Sequence, residues 1–278
     1  MIYISFSIGR YTTYKELRRE LIKQGHKFRS NSDVEVLVHL YEEYGCNLID
    51  KLNGMFAFVL YDQKNNTLWV ARDRFGIKPL FYYFDENCLV LASDLTSVNS
   101  VAKQEIDKYS VMLFLGHSYI PAPKTIYKNI SKLMPGEQIN INNNSLKISK
   151  YWDIENLSEE NIGKIEASDR LRKILGESVK FQTRSDVPVG LFLSGGVDSA
   201  TIAAITKEVR PKSQFHTFTV DFIDKKSQDS IYAANMSSKI NSIHHLIKVT
   251  HANQIDALNR LIKKMVEPMS VSAIVPTF

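Results

Sequence analysis

The chain has 278 residues, with 35 basic against 30 acidic side chains and a formal charge of +5. That length suffices for one large domain or two modest ones, with about three quarters of the unfolded surface buried on folding. Hydrophobic residues at 44% and charged ones at 23% exclude disordered and fibrous classes. No apolar run approaches the roughly 18 residues of a membrane helix. The opening Met1-Ile2-Tyr3-Ile4-Ser5-Phe6 lacks the basic start and long apolar core of a signal peptide, so a cytoplasmic setting is expected. Cys46 and Cys88 are the two cysteines. With no CxxC and no histidine cluster at ligand spacing, they speak against a disulfide scaffold and a zinc site. A pI near 9.0 invites a nucleic-acid reading. However, Lys15-Glu16-Leu17-Arg18-Arg19-Glu20 interleaves both signs as a solvated helix face does, so neither nucleic acid nor membrane is an expected partner.

Thr13-x-x-Glu16 reads as a capping box for a helix to about Gln24, stopped by Gly25. A second box, Ser32-x-x-Glu35, opens a helix to Gly45 with Val34, Leu37, Val38 and Tyr41 on its apolar face. Met55–Tyr61 reads as a strand buried on both faces, and Thr67–Ala71 returns as its partner after Gln63-Lys64-Asn65-Asn66. Leu80–Phe84 with Cys88–Ala92 forms a second hairpin. A third spans Gln138–Ile148, where Ile139 and Ile141 face Leu146 and Ile148 across Asn142-Asn143-Asn144-Ser145. This first part, residues 1–153, is therefore α+β with mostly antiparallel strands. A polar linker follows to about Ile165.

In the second part, residues 154–278, helices and strands alternate. A helix Ser168–Phe181 precedes strand Val187–Leu193, helix Asp198–Lys207, strand Phe215–Asp221, helix Asp229–Ile240, strand His244–Val249 and helix Asn253–Met265. Such alternation predicts an α/β parallel sheet with its ligand site beyond the carboxyl ends of the strands. At one such end stands Leu193-Ser194-Gly195-Gly196-Val197-Asp198-Ser199. Two glycines let backbone approach a bound group closely. The free N–H groups of the following helix and the hydroxyls of Ser194 and Ser199 form an anion site. Asp198 would repel a bare phosphate, which makes sense if Mg2+ bridges them. The string is neither a Walker A loop nor a dinucleotide fingerprint. Asp198 and Ser194 at a helix start also occur as plain caps without any ligand.

The whole Ser-Gly-Gly-Val-Asp-Ser string resembles the pyrophosphatase loop of enzymes that cleave ATP to AMP and pyrophosphate. Ahead of it, in order, stand Asn31-Ser32-Asp33-Val34-Glu35-Val36, Leu52-Asn53-Gly54-Met55-Phe56-Ala57-Phe58, Arg72-Asp73-Arg74-Phe75-Gly76-Ile77-Lys78-Pro79-Leu80 and Leu133-Met134-Pro135-Gly136. With these the chain resembles glutamine-hydrolysing asparagine synthetase from about Tyr14 onward. The resemblance implies a class II glutamine amidotransferase domain of the Ntn type over 1–153. It implies an ATP-pyrophosphatase domain over 154–278. Together these would make asparagine from aspartate, glutamine and ATP through an aspartyl-adenylate, with Mg2+ as cofactor. By the same resemblance Leu193, Ser194, Gly195, Gly196, Val197, Asp198 and Ser199 contact ATP, Asp198 serving the metal. Val220 contacts the adenine through its backbone. Asp33 holds the α-amino group of glutamine, although it is equally a helix-start carboxylate favoured by the macrodipole.

The pattern also departs from the family. Its nucleophile is a cysteine at the start of the mature chain, whereas residue 2 is Ile and no cysteine precedes Cys46. Cys46 and Cys88 read as small buried residues, so no catalytic residue is assigned. Ile8-Gly9-Arg10 replaces the family's Asn-Gly-Glu, keeping only the Gly9 backbone donor. Val266 replaces the Asp of Asp-Glu-Pro, and the second acidic loop would lie beyond Phe278. The expectation is a fragment, short at both ends, with neither half-reaction intact and both domains incomplete. Two alternatives stay open: a relative amidating another carboxylate such as a sugar acid, or a non-enzymatic remnant. A homodimer is left open. Arg72, Asp73, Arg74 and Lys78 read as an inter-domain ion-pair network, and His244 and His245 as neighbours on opposite faces of a strand.

Overall fold

The computed structural model describes residues 3–142, 145–185, 187–222 and 228–270. It opens with a strand outside the predicted set, β1 (Tyr3–Tyr11). Residues 3–158 with 266–270 form one compact unit, and 159–265 a second. In the first, α1 (Tyr14–Lys23) and α2 (Asp33–Tyr44) are followed by a short 3-10 helix (Gly45–Asp50), β2 (Gly54–Asp62) and β3 (Thr67–Arg72). Then come β4 (Phe81–Phe84), β5 (Leu89–Ala92), α3 (Leu95–Ala102), α4 (Lys108–His117), β6 (Ile130–Lys132), β7 (Glu137–Asn142) and β8 (Ser145–Lys150). The strands form a five-stranded sheet, β1-β2-β3-β7-β8, and a three-stranded sheet, β5-β4-β6, antiparallel throughout.

Alternation along β2 builds both cores. Phe56, Phe58 and Leu60 join Leu21, Leu37, Leu40 and Trp69 beneath the helices, while Ala57 packs with Val70, Leu80, Leu133 and Ile139 on the opposite face. The strand is thus buried on both faces, as its apolar run predicts. The β7–β8 register pairs Ile139 with Ile148 and Ile141 with Leu146, again as expected; Asn143 and Asn144 of the turn lie outside the described residues.

Helix ends differ from the expectation. Thr13 precedes α1 but makes no side-chain cap bond; its hydroxyl is buried with no partner among the described residues. Ser32 does cap α2, accepting from the Val34 N–H at 3.2 Å. Glu35, however, turns back to the N–H groups of Arg29 and Ser30, at 2.6 and 2.7 Å, so a carboxylate-organised loop replaces the reciprocal box. The buried face of α2 is Val36, Leu37 and Leu40, rotated from the predicted row because the helix packs against both α1 and the sheet. Cys46 and Cys88 are exposed rather than buried. The Arg72–Lys78 segment is also corrected. Asp73 is 1% exposed and accepts from the N–H groups of Phe56, Phe75, Ile77 and Lys78. Arg72 donates to the carbonyls of Gly76, Lys78 and Leu133, and Arg74 to that of Leu52. These charges brace backbone inside the first unit, since buried charges satisfied by peptide groups need no ionic partner.

The second unit contains α5 (Lys164–Gln182), β9 (Gly190–Phe192), α6 (Val197–Val209), β10 (His216–Phe222), α7 (Asp229–Ile240), β11 (Ile243–Val249) and α8 (His251–Ile262). Its three strands are parallel in the order β11-β10-β9, the α/β arrangement expected. The strand predicted as a buried run over Val187–Leu193 shortens to three residues at the edge of this sheet, with Phe192 79% exposed.

Candidate functional site

The loop after β9 is shaped by its own hydroxyls and one glycine. Leu193, 1% exposed, packs among Ala203, Ala233 and Ile240, and its N–H donates to the Phe218 carbonyl at 2.8 Å. Its carbonyl accepts from the Thr219 hydroxyl, which ties the loop to β10 next to Val220. Ser194 and Ser199 meet at 3.1 Å between oxygens, Ser199 Oγ also accepting from the Ser194 N–H at 3.2 Å. Gly195 has φ +76°, and a Cβ there would lie 2.4 Å from the carbonyl oxygen of Asp229, at the start of α7. Gly196 is the N-cap of α6 and contributes no side-chain cap bond. Among the described residues, the first N–H groups of α6 therefore have no side-chain cap at the carboxyl end of a parallel strand, the arrangement that binds anions. Val197 and Asp198 are exposed on that first turn. Val220 is two residues inside the end of β10, paired with Ile247 of β11.

These residues suit a magnesium-complexed phosphate chain. Donors come from backbone and hydroxyls, and the exposed carboxylate of Asp198 matches an ion that retains waters and takes phosphate oxygens. The fold thus brings Leu193 to Ser199 to one bend, and Thr219 holds Val220 beside it. Sequence reasoning missed Thr219 and the Asp229 backbone. The signal for Thr219 was a small hydroxyl residue adjoining the predicted adenine contact.

In the first unit, Asp33 sits in the first turn of α2, and its Oδ2 accepts from the Tyr11 N–H at 3.3 Å. Gly9, two residues earlier on β1, has φ +117°, and a Cβ there would lie 2.0 Å from the Met55 carbonyl. Asp33 and Gly9 therefore both address the last third of β1. Burial pushes the Tyr11 hydroxyl well above its usual range; the charge of Asp33 adds to this and a Ser7 bond opposes it. Neither cysteine is placed as a ready thiolate: local desolvation raises both thiols, helped at Cys88 by Asp85. His244 and His245 face apart, His244 toward Thr217 and His245 toward His216. One group contradicts the expectation of no clustered histidines: His26, His39 and Glu42 converge beside α2. Only the i, i+3 pair of His39 and Glu42 was visible as a pattern.

Comparison with known proteins matches both parts of the chain. A glutamine amidotransferase domain model matches residues 4–152, and an asparagine synthase model matches residues 170–278. The chain belongs to the asparagine synthetase family. It is similar to putative asparagine synthetase (glutamine-hydrolyzing) 2 of Methanocaldococcus jannaschii, 32% identical over 243 residues, covering 85% of this chain and 46% of that protein. It is similar also to asparagine synthetase (glutamine-hydrolyzing) 3 of Bacillus subtilis, 32% identical over 271 residues, covering 91% and 44%. Asparagine synthetase (glutamine-hydrolyzing) 1 of the same organism is 31% identical over 272 residues, covering 97% and 43%. The chain thus spans somewhat under half the length of these relatives.

Proposed function

We propose that this chain is part of an ATP-dependent, amide-forming ligase that makes asparagine from aspartate, glutamine and ATP through an aspartyl-adenylate, its own residues binding ATP and glutamine without completing either half-reaction. Residues 1–153 are read as the glutamine amidotransferase part and 154–278 as the ATP-pyrophosphatase part. The observation that carries the proposal is the bend at Ser194-Gly195-Gly196, where the uncapped first turn of α6 opens beside the carboxyl end of β9. Backbone N–H groups there would hold phosphate oxygens, and the paired Ser194 and Ser199 hydroxyls would keep the bend in shape. Asp198 would hold Mg2+, which when bound neutralises phosphate charge. The Val220 backbone would meet the adenine. Asp33 would hold the glutamine α-amino group near the Gly9 backbone. The interleaved charges of α1 support small molecules rather than nucleic acid as partners, and the cytoplasm is the proposed setting.

Equilibrium binding of ATP to the purified chain tests this, with and without Mg2+. We expect saturable, magnesium-dependent binding at one site. Asp198→Asn should weaken it by about 10–100-fold, the scale of a charge-assisted contact, without changing the circular dichroism. Absence of binding to the folded chain, or binding indifferent to Asp198→Asn, would point to the remnant instead.

A further inference from the structure

α1 and α2 are joined at one corner by side chains that the proposed ligase chemistry does not use. His26 lies three residues past the end of α1; His39 and Glu42 stand one turn apart on α2. Each turns one ligand atom toward a common point. His26 Nδ1 is 3.0 Å from His39 Nδ1 and 3.4 Å from Glu42 Oε2. His39 Nδ1 is itself 3.0 Å from that oxygen. The point equidistant from all three in their plane is about 1.8 Å from each, so a cation at roughly 2.0–2.2 Å stands just off that plane.

His26 Nε2 is 2.7 Å from Glu43 Oε1, and with its proton there Nδ1 presents a lone pair inward. A cation accepts all three lone pairs at once. Glu35 Oε1 lies 3.7 Å from His39 Nε2, too far for a hydrogen bond, while a carboxylate stands behind His26, Glu43 Oε1 at hydrogen-bond distance from its Nε2. Metal-ligating histidines are backed in this way. His39 is steadied by the edge of Phe28, ring centroids 4.4 Å apart. The histidine side chains are 12% and 16% exposed while Glu42 is 34% exposed, so the rings are seated and the fourth position faces solvent. Two imidazoles and a carboxylate suit a zinc-class ion rather than calcium or magnesium.

We propose that His26, His39 and Glu42 bind a divalent transition-metal ion of the zinc class, clipping the turn after α1 to α2. The clip sits on the helix whose first turn carries Asp33, so the ion would stiffen α2 along its length. The test is calorimetric titration of the chelator-stripped chain with Zn2+, alongside Co2+ titration followed by visible absorption. One equivalent of zinc, a cobalt spectrum of nitrogen and oxygen coordination, and a zinc-dependent rise in melting temperature are expected. Glu42→Ala, at the exposed ligand, should weaken zinc at least tenfold with the fold intact. Glu43→Gln should weaken it by about tenfold or more through loss of support behind His26. His245→Ala, at the other histidine pair, should leave the stoichiometry unchanged. No zinc binding to the folded chain, or an equivalent that survives Glu42→Ala and disappears with His245→Ala, would overturn the assignment.

Discussion

At position 195 the loop demands the absence of a side chain; at position 196 it does not. Gly195 combines a left-handed φ with a Cβ position 2.4 Å from backbone, whereas a Cβ on Gly196 would meet only the flexible Ser194 hydroxyl at 3.5 Å. Gly195→Ala should therefore destabilise the second unit by about 1–3 kcal/mol, the cost of left-handed backbone plus the displacement of α7. Gly196→Ala should cost less than about 1 kcal/mol. Urea unfolding of the two variants checks the contrast; equal costs would mean that the bend is not held as described. The run of two glycines advertises the bend in the sequence. Which glycine is indispensable depends on the approach of α7, and no local pattern carries that information.

Among the elements, α2 gathers the most electrostatics. Burial pushes the Glu35 carboxyl up, but the N–H of Arg29, the hydroxyl and N–H of Ser30, and His39 outweigh it and bring the pKa to about 2 from an ordinary 4.5. A folded-state pKa below the unfolded one stabilises above the unfolded value, and that stability is lost as pH falls from 4.5 toward 2. Glu35→Gln should thus lower the melting temperature at pH 7 and flatten the acid limb of the profile across that window, as thermal scans in a pH series would show. Most elements were legible because the β2, β3, β7 and β8 segments carry apolar side chains in strand-like runs. The second unit's βα alternation was legible for the same reason. β1 carries Ile4, Phe6 and Ile8 alternating with Ser5 and Ser7, but a short apolar run at a chain start reads equally as the opening of a leader. α3 and α4 follow Asp94 and Asp107, whose side chains cap the Ser97 and Tyr109 N–H groups. Those caps were readable, but the short helices lack a clean apolar period. The box at Thr250 with Asn253 escaped because its third position is amide rather than acid. Side chains distant in sequence, His26 against α2 above all, meet only after the loop between α1 and α2 folds back.

On the scale of the whole molecule, the first unit is not a contiguous stretch of chain. The segment 266–270 belongs to it: Glu267 pairs with Lys132 at 2.7 Å and accepts from the Ile126 N–H at 2.9 Å. Val266 packs beside Leu95 and Ile130. Glu267→Ala takes the carboxylate from a half-buried ammonium, which keeps the Ile120 carbonyl, and leaves the Ile126 N–H without its acceptor, so a loss of about 1–3 kcal/mol is expected from the first unit. Hydrogen exchange should show it at the Ile126 amide; unchanged protection there would contradict the arrangement. The feature also sets a clock on biosynthesis. Ile126 leaves the ribosome 141 residues before its acceptor does, and at about 5–20 residues per second that interval is roughly seven to thirty seconds. Through that time the nascent first unit carries an open seam, available to chaperones, and it closes only once translation has passed Glu267.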